Sequence, residues 1–216
     1  MRKIAIILVS FCMATFAQQK GSFTDSRDGK KYKTVKIGTQ TWMAQNLDYG
    51  GANDDIGMCY DKKPENCKKY GSLYSWDEAM KVCPPGWHLP SDKEWQVLVD
   101  FAGGDEAAGK KLKSKSGWSK HECKYTIESV SDRGKVTVTE HDNCAVTDEY
   151  GFAAFSGGFG FSGGSSYNVG NGGGWWSATE SDASNAWNRI MHYSYELVVR
   201  GNSDKSYLLS VRCLQD

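Results

Sequence analysis

Six cysteines lie beyond residue 18: Cys59, Cys67, Cys83, Cys123, Cys144 and Cys213, with a seventh at Cys12. Thiols at such positions can ligate zinc, run redox chemistry or pair as disulfides. No Cys-x-x-Cys occurs, which disfavours a zinc ribbon or a thioredoxin-type motif. An even number in an oxidising compartment favours disulfides. Many pairings are open to six cysteines, and local geometry narrows them. Cys59 and Cys67 bracket a turn-prone stretch, CYDKKPENC, holding Pro64 and Asn66. Cys123 and Cys144 bracket a segment that reads as a hairpin. Cys83 and Cys213 would then close most of the domain, a loop whose closure stabilises by about 5 kcal/mol in the chain-entropy picture.

Other chemistry is sparse. His88 stands between Trp87 and Leu89 with no second histidine at ligand spacing, and reads as a structural, hydrogen-bonded imidazole. His121 and His141 flank the hairpin, where a weak metal site is the alternative to solvated side chains. Ser177 and Ser210 lack a His/Asp arrangement. Asp92 and Glu94 read as charges favoured at a helix N-terminus. Asp148-Glu149 and Glu180-Ser181-Asp182 offer oxygen atoms for calcium or sugar hydroxyls, with solvated loops the plainer expectation. No metal or cofactor is expected, and calcium has no supporting motif. Lys110, Lys111, Lys113 and Lys115 read as a solvated face without interleaved rings.

The rings carry the open question. The chain has eight Trp, eleven Tyr and eight Phe. Trp42, Trp76, Trp87 and Trp95 lie in patterned segments and read as core. Residues 150–176 hold ten Gly interleaved with rings, with no phosphate-loop motif. Tyr167, Trp175, Trp176 and Trp187, with Asn188 and Glu180 beside them, form the candidate ligand site. Exposed rings stack on the C–H faces of sugars while amides and carboxylates fix hydroxyls. The competing expectation is that these rings fill the centre of a domain with little regular structure.

The elements that must position these residues follow from periodicity. Met1–Ala17 has a basic start, an apolar run and small residues at Thr15 and Ala17, and reads as a signal peptide with a mature start at Gln18. Lipid attachment at Cys12 fits less well, because Phe11 stands where a lipobox wants a small residue. No other stretch is long and apolar enough to span a bilayer. Residues 18–216 read as one domain, with 119–147 a disulfide-closed hairpin elaboration turning at Ser131–Gly134. Basic and acidic residues are 26 each, and the part beyond residue 17 carries 24 basic and 26 acidic side chains. There is no global basic field for nucleic acid.

Tyr32–Ile37 and Gln40–Ala44 form a predicted hairpin. Residues 48–72 read as a loop. Ser75 with Glu78, and Ser91 with Glu94, are capping boxes that open two helices. The first would bury Trp76, Ala79, Met80 and Cys83, the second Trp95, Leu98, Val99 and Ala102. Pro84-Pro85-Gly86 ends the first and Gly103-Gly104 the second. Later strands are expected at Trp187–His192, Tyr195–Arg200 and Tyr207–Leu214, with a turn at Gly201–Asp204.

The ordered blocks DSRDGKKYKTVKIGTQTWMAQNLDY, CYDKKPENCKKYGSLYSW, AMKVCPPGWHLPSDKEWQVL, DEYGFAAFSGG, WWSATE and SVRC closely resemble the Fibrobacter succinogenes major paralogous domain family over about residues 23–215. The resemblance implies export and a surface or extracellular setting. A second resemblance is to C-type lectin-like domains: a helix ending in Cys, then Gly86 and Leu89, a helix with Glu94-Trp95, and a cysteine near the C terminus. It implies an α+β lectin-like fold and supports pairing of Cys83 with Cys213. WHLPSDKEW is also similar to a block of the formylglycine-generating enzyme family. The calcium-binding Glu-Pro-Asn, Gln-Pro-Asp and Trp-Asn-Asp motifs are missing, and every mature cysteine has a disulfide partner available, leaving no reactive thiolate.

The expectation is therefore an exported, monomeric, disulfide-stapled α+β module without a catalytic centre. It would bind a glycan or another surface protein through the Gly/aromatic segment. The alternatives are a display module with no small ligand and an oxidase-like enzyme, the latter disfavoured by the paired thiols.

Overall fold

The computed structural model describes residues 19–53, 56–119, 124–131, 134–141 and 146–216. The expected leader with Cys12, and Cys123, Cys144 and His121, lie outside them. In chain order the elements are β1 (Lys20–Thr24), β2 (Lys31–Ile37), β3 (Gln40–Met43), α1 (Pro64–Tyr70), β4 (Leu73–Tyr74), α2 (Trp76–Val82), β5 (Trp87–His88), α3 (Asp92–Phe101) and α4 (Ala108–Leu112). Ten of the strands belong to the later half or its edges: β6 (Lys124–Ser131), β7 (Gly134–His141), β8 (Gly157–Phe161), β9 (Ser166–Val169), β10 (Gly172–Glu180), β11 (Asn185–His192), β12 (Val199–Asp204), β13 (Tyr207–Ser210) and β14 (Leu214–Gln215), with β4 joining them by pairing. The class is α+β, as expected.

One sheet runs β1-β2-β3-β14-β5, the larger runs β12-β11-β10-β13-β8-β9 with β4 on β13, and β6 pairs with β7 alone. The last strands of the chain thus sit inside both large sheets. Cys213, between β13 and β14, is bonded to Cys83 at the end of α2. The second disulfide joins Cys59 to Cys67. Both pairings match the expectation.

Alternation along the strands builds the two larger cores, beside a small third cluster of Met58, Tyr60, Leu73 and Leu208. Neighbouring residues of a strand face opposite sides, so Trp42 joins one core and Met43 the other, and Trp175 and Trp176 divide the same way. The first core takes the stripe of α3, with Trp95, Leu98, Val99 and Ala102 beside Trp42, Trp175 and Phe152. The second takes Trp76, Ala79 and Val82 of α2 beside Tyr74, Trp176, Leu209 and Val211. The α3 box is complete: the Glu94 N–H donates to Ser91 Oγ at 3.3 Å, and the Ser91 N–H to Glu94 Oε2 at 2.7 Å. At α2 the Ser75 N–H donates to Glu78 Oε2 at 2.7 Å.

Several expectations need correction. Residues 48–72 are not wholly loop, because Pro64 at the first helical turn presets φ for α1. The polar start carries β1, which pairs with β2 from Lys20↔Val35 to Thr24↔Lys31. On α2 the buried track is Trp76, Ala79 and Val82, while Met80 is 44% exposed. Burial recurs at every third residue, 76, 79 and 82, which leaves Met80 on the outer edge of the stripe. Residues 150–176 are not an irregular loop but hold β8, β9 and the start of β10. Glycine permits the close strand pairing there: Gly158 has φ +69°, and a Cβ on it would lie 2.3 Å from the Tyr167 carbonyl oxygen. Gly201–Asp204 lies within β12, where extended pairing with β11 replaces the expected turn.

Candidate functional site

The expected ligand residues do not share a surface. Trp175 and Trp176 are fully buried. The Trp175 Nε1–H donates to Asn46 Oδ1 at 2.9 Å, and that of Trp176 to the Tyr74 carbonyl at 2.8 Å. Consecutive residues on one strand point apart, so the pair cannot form one platform. Asn188 is also fully buried, with Nδ2 donating to Ser203 Oγ at 2.9 Å. Trp187 is half-buried beneath the Arg200 guanidinium, 3.4 Å from the ring centroid. Glu180 is exposed and pairs with Lys205 at 2.6 Å. Tyr167 alone of the four rings stands well out, 50% exposed and flanked by Phe159 and Phe161.

The other chemistry-bearing residues are tied into the structure. His88 is held between carboxylates, Nδ1 to Asp216 at 2.6 Å and Nε2 to Glu94 at 3.1 Å. Burial pulls its pKa down, but those two hydrogen bonds outweigh it and raise the pKa. Asp92 takes Arg189 at 2.6 Å and Arg200 at 3.0 Å. Its burial is outweighed by both guanidinium groups, which lower its pKa. Ser210 and Ser177 are buried. Among the described residues no group of three or more His, Cys, Asp or Glu could hold a metal ion, and no helix is long and apolar enough to cross a membrane.

Sequence reasoning missed a cleft of about 780 Å³ where the first core runs out. Lys31 and Lys33 share a face of β2 with buried Val35 and Ile37, so the strand passes from core to cleft wall along its length. β1 adds Lys20, and α1 adds Lys68, Lys69 and Tyr70. The segment after α4 adds Ser114 to Ser116, and the approach to β8 adds Asp148, Ala153 and Phe155. Asn46 and Arg212 form the floor. Gly71 closes α1 at φ +81°, and a Cβ there would lie 2.6 Å from the Asn46 Cβ. This seats the helix end against the floor.

Seven lysines and Arg212 face two carboxylates, Asp48 and Asp148, in this lining. Lys30 is matched by Asp48 at 2.9 Å. Lys20, Lys31, Lys33, Lys68 and Lys115 have no salt-bridge partner among the described residues. Arg212 is fully buried and donates to the carbonyls of Phe152 and Ala153 and to Asn46 Oδ1, the last at 2.7 Å. Its Nε has no partner, and it makes no salt bridge among the described residues. Burial pushes the guanidinium down to about 9, with only the charge of Asp148 opposing. Asp148 is raised by burial, against the pull of the Ala153 N–H, Arg212, Lys115 and Lys20. Tyr70 and Phe155 lie 5.7 Å apart between centroids, and the Lys69 ammonium sits 4.7 Å from the Tyr70 ring centre.

One lysine of the expected solvated run behaves otherwise. Lys113 is 1% exposed, its ammonium held by the carbonyls of His192 and Tyr195 at 2.6 and 2.5 Å. Burial lowers its pKa to about 8. The doublets Lys30-Lys31 and Lys68-Lys69 were a visible signal for the cleft, but only the topology brings them together.

A family model described as the Fibrobacter succinogenes major domain matches residues 35–215. Neither a curated protein nor a solved structure matches the chain.

Proposed function

The chain belongs to the Fibrobacter succinogenes major domain family, and on that premise we propose that residues 18–216 form an exported, non-catalytic, monomeric binding module of C-type lectin-like architecture that holds an anionic partner in the lysine-lined cleft. The two disulfides support export, since such bonds persist in oxidising compartments. The tie from the end of α2 to the last strands supports the lectin-like reading. Cys59, Cys67, Cys83 and Cys213 are disulfide-bonded and His88 and His192 are hydrogen-bonded to neighbours, which supports a non-catalytic reading.

The observation that carries the reading is the charge arrangement. A chain with equal numbers of acidic and basic residues gathers seven lysines around one concavity, above a buried guanidinium with no salt bridge among the described residues. Burying an uncompensated charge costs several kcal/mol in order of magnitude. Like-charged walls repel, and an anion removes both penalties. The seat therefore moves from the Gly/aromatic segment to the cleft, and calcium has no part in it.

Burial of Trp175 and Trp176 favours a second reading, a display module with no small ligand. Thermal unfolding separates the two. Polyglutamate and dextran sulfate should raise Tm in the presence of a chelator, while neutral dextran and polylysine should not. The rise should vanish in a Lys33→Glu/Lys69→Glu variant and persist in Tyr167→Ala. If no polyanion moves Tm, the display reading stands and the cleft is not a binding site.

A further inference from the structure

Resting on the cleft reading above, we infer that its occupant is an extended chain of carboxylated sugars, a uronate-type polysaccharide. Charge alone admits any polyanion, so the choice turns on what else lines the cleft. Asp48 and Asp148 lie in the wall among the lysines. A DNA strand or a densely sulfated chain keeps few free hydroxyls between its charges and meets both carboxylates with repulsion. A uronate carries one carboxylate per ring and several hydroxyls between. The hydroxyls are the donors that a wall carboxylate accepts. Asp148 is built for this: its Oδ1 takes the Ala153 N–H at 2.8 Å, and its second oxygen has no partner among the described residues.

The type and placement of the cations suit the same ligand. All but one are lysines, compact point charges on flexible stems, where dense phosphate recognition favours the planar fork of arginine. The one arginine is fully buried and acts through its field from below. They stand on three separate walls, Lys20, Lys31 and Lys33 on the first sheet, Lys68 and Lys69 on α1, and Lys115 after α4. That distribution suits an elongated ligand with separated charges over a single compact anion.

The apolar part of the lining supplies the sugar faces. Tyr70 and Phe155 are half-buried neighbours in the cleft, and rings of this kind pack on the C–H faces of pyranoses. An acidic peptide would use the lysines but has no need of a ring pair. The volume of about 780 Å³ accommodates several sugar units.

Calorimetric titration of the full chain beyond its leader, in chelator, tests the inference with four probes: tetragalacturonate, its methyl ester, hexaglutamate and a short oligothymidylate. Tetragalacturonate should bind best, and esterification, which keeps the rings and removes the charge, should weaken it at least tenfold. Lys33→Ala/Lys69→Ala should weaken it by roughly tenfold, with the loss shrinking as salt rises. Phe155→Leu keeps the apolar bulk but removes the ring, and should weaken tetragalacturonate about fivefold while leaving hexaglutamate unchanged. Hexaglutamate or oligothymidylate binding as tightly as the uronate overturns the sugar assignment and leaves the cleft an anion site. No binding by any probe, with the lysine variant indistinguishable from wild type, overturns the reading on which the inference rests.

Discussion

In the centre of the molecule each fully buried indole N–H has an oxygen to meet. Trp95 donates to the Trp176 carbonyl, Trp176 to that of Tyr74, Trp175 to Asn46 and Trp42 to Gln40. In the cleft, on the other side of Asn46, most of the ammonium groups have no partner of opposite charge among the described residues. Asn46 belongs to both regions: its Oδ1 accepts from Trp175 and from Arg212, and its Nδ2 donates to the Tyr70 carbonyl and to Ser210. A buried polar group that is fully matched specifies a structure. Unmatched charge gathered on one concavity is a cost to the fold, and the cleft side of this molecule is where that cost is concentrated.

The two disulfides fall one to each region, and removing them should cost different amounts. Cys83–Cys213 spans 130 residues and ties α2 to the second core, while Cys59–Cys67 spans 8, with Cys67 in the cleft wall. Loop-closure entropy puts the paired Cys83→Ala/Cys213→Ala change at about 5 kcal/mol and Cys59→Ala/Cys67→Ala at about 2.5 kcal/mol. Denaturant midpoints measure both. The smaller loss should also abolish the polyanion effect on Tm, which the comparison requires of a cleft-side staple. Equal costs, or a polyanion response surviving in the short-loop variant, would break the division.

Asn46→Ala is aimed at the shared wall. It leaves the Trp175 N–H and an Arg212 N–H without an acceptor in a buried site and the Tyr70 carbonyl without a donor. Each such loss costs about 1–3 kcal/mol, and relaxation keeps the total to about 3 kcal/mol. Urea unfolding gives the number. A cost below 1 kcal/mol would mean that core and cleft are not joined through this side chain.

Much of the fold was legible because it is written locally. The β2–β3 hairpin, both capping boxes and the Trp95–Ala102 stripe depend on neighbours three or four residues away. The pairing of Cys83 with Cys213 followed once the flanking cysteines were assigned and the family resemblance agreed. The site was not legible for the opposite reason. Trp175 and Trp176 look like a platform in sequence, but strand alternation sends one into each core. Glycines beside the rings suggested a loop, whereas the pairing Phe159↔Tyr167 shows them thinning the strands of a sheet. The cleft draws Lys20, Lys33, Lys69 and Lys115 from distant stretches, each of which alone reads as solvated surface. No window of sequence contains it.

Lys113 and Lys115 put the contrast between the regions within two residues. Lys115 is exposed in the cleft wall, while Lys113 is treated as a core group, its ammonium capped by two carbonyls and no carboxylate in salt-bridge reach among the described residues. Burial holds the Lys113 pKa at about 8 in the fold, against 10.5 for the free side chain. The unfolded chain keeps this proton up to the higher value, so between those two pH values it binds more protons than the folded chain. Stability contributed by this site must then rise with pH across that interval, by about 2 kcal/mol in order of magnitude. Lys113→Met removes the rise and Lys115→Met leaves it. The difference between variant and wild-type unfolding curves from pH 7 to 10.5 isolates the effect from the tyrosines, whose titration is common to both. A flat difference for Lys113→Met would place its ammonium in solvent, on the cleft side of the division. A rise lost equally in Lys115→Met would mean that the two regions do not differ in how they hold charge.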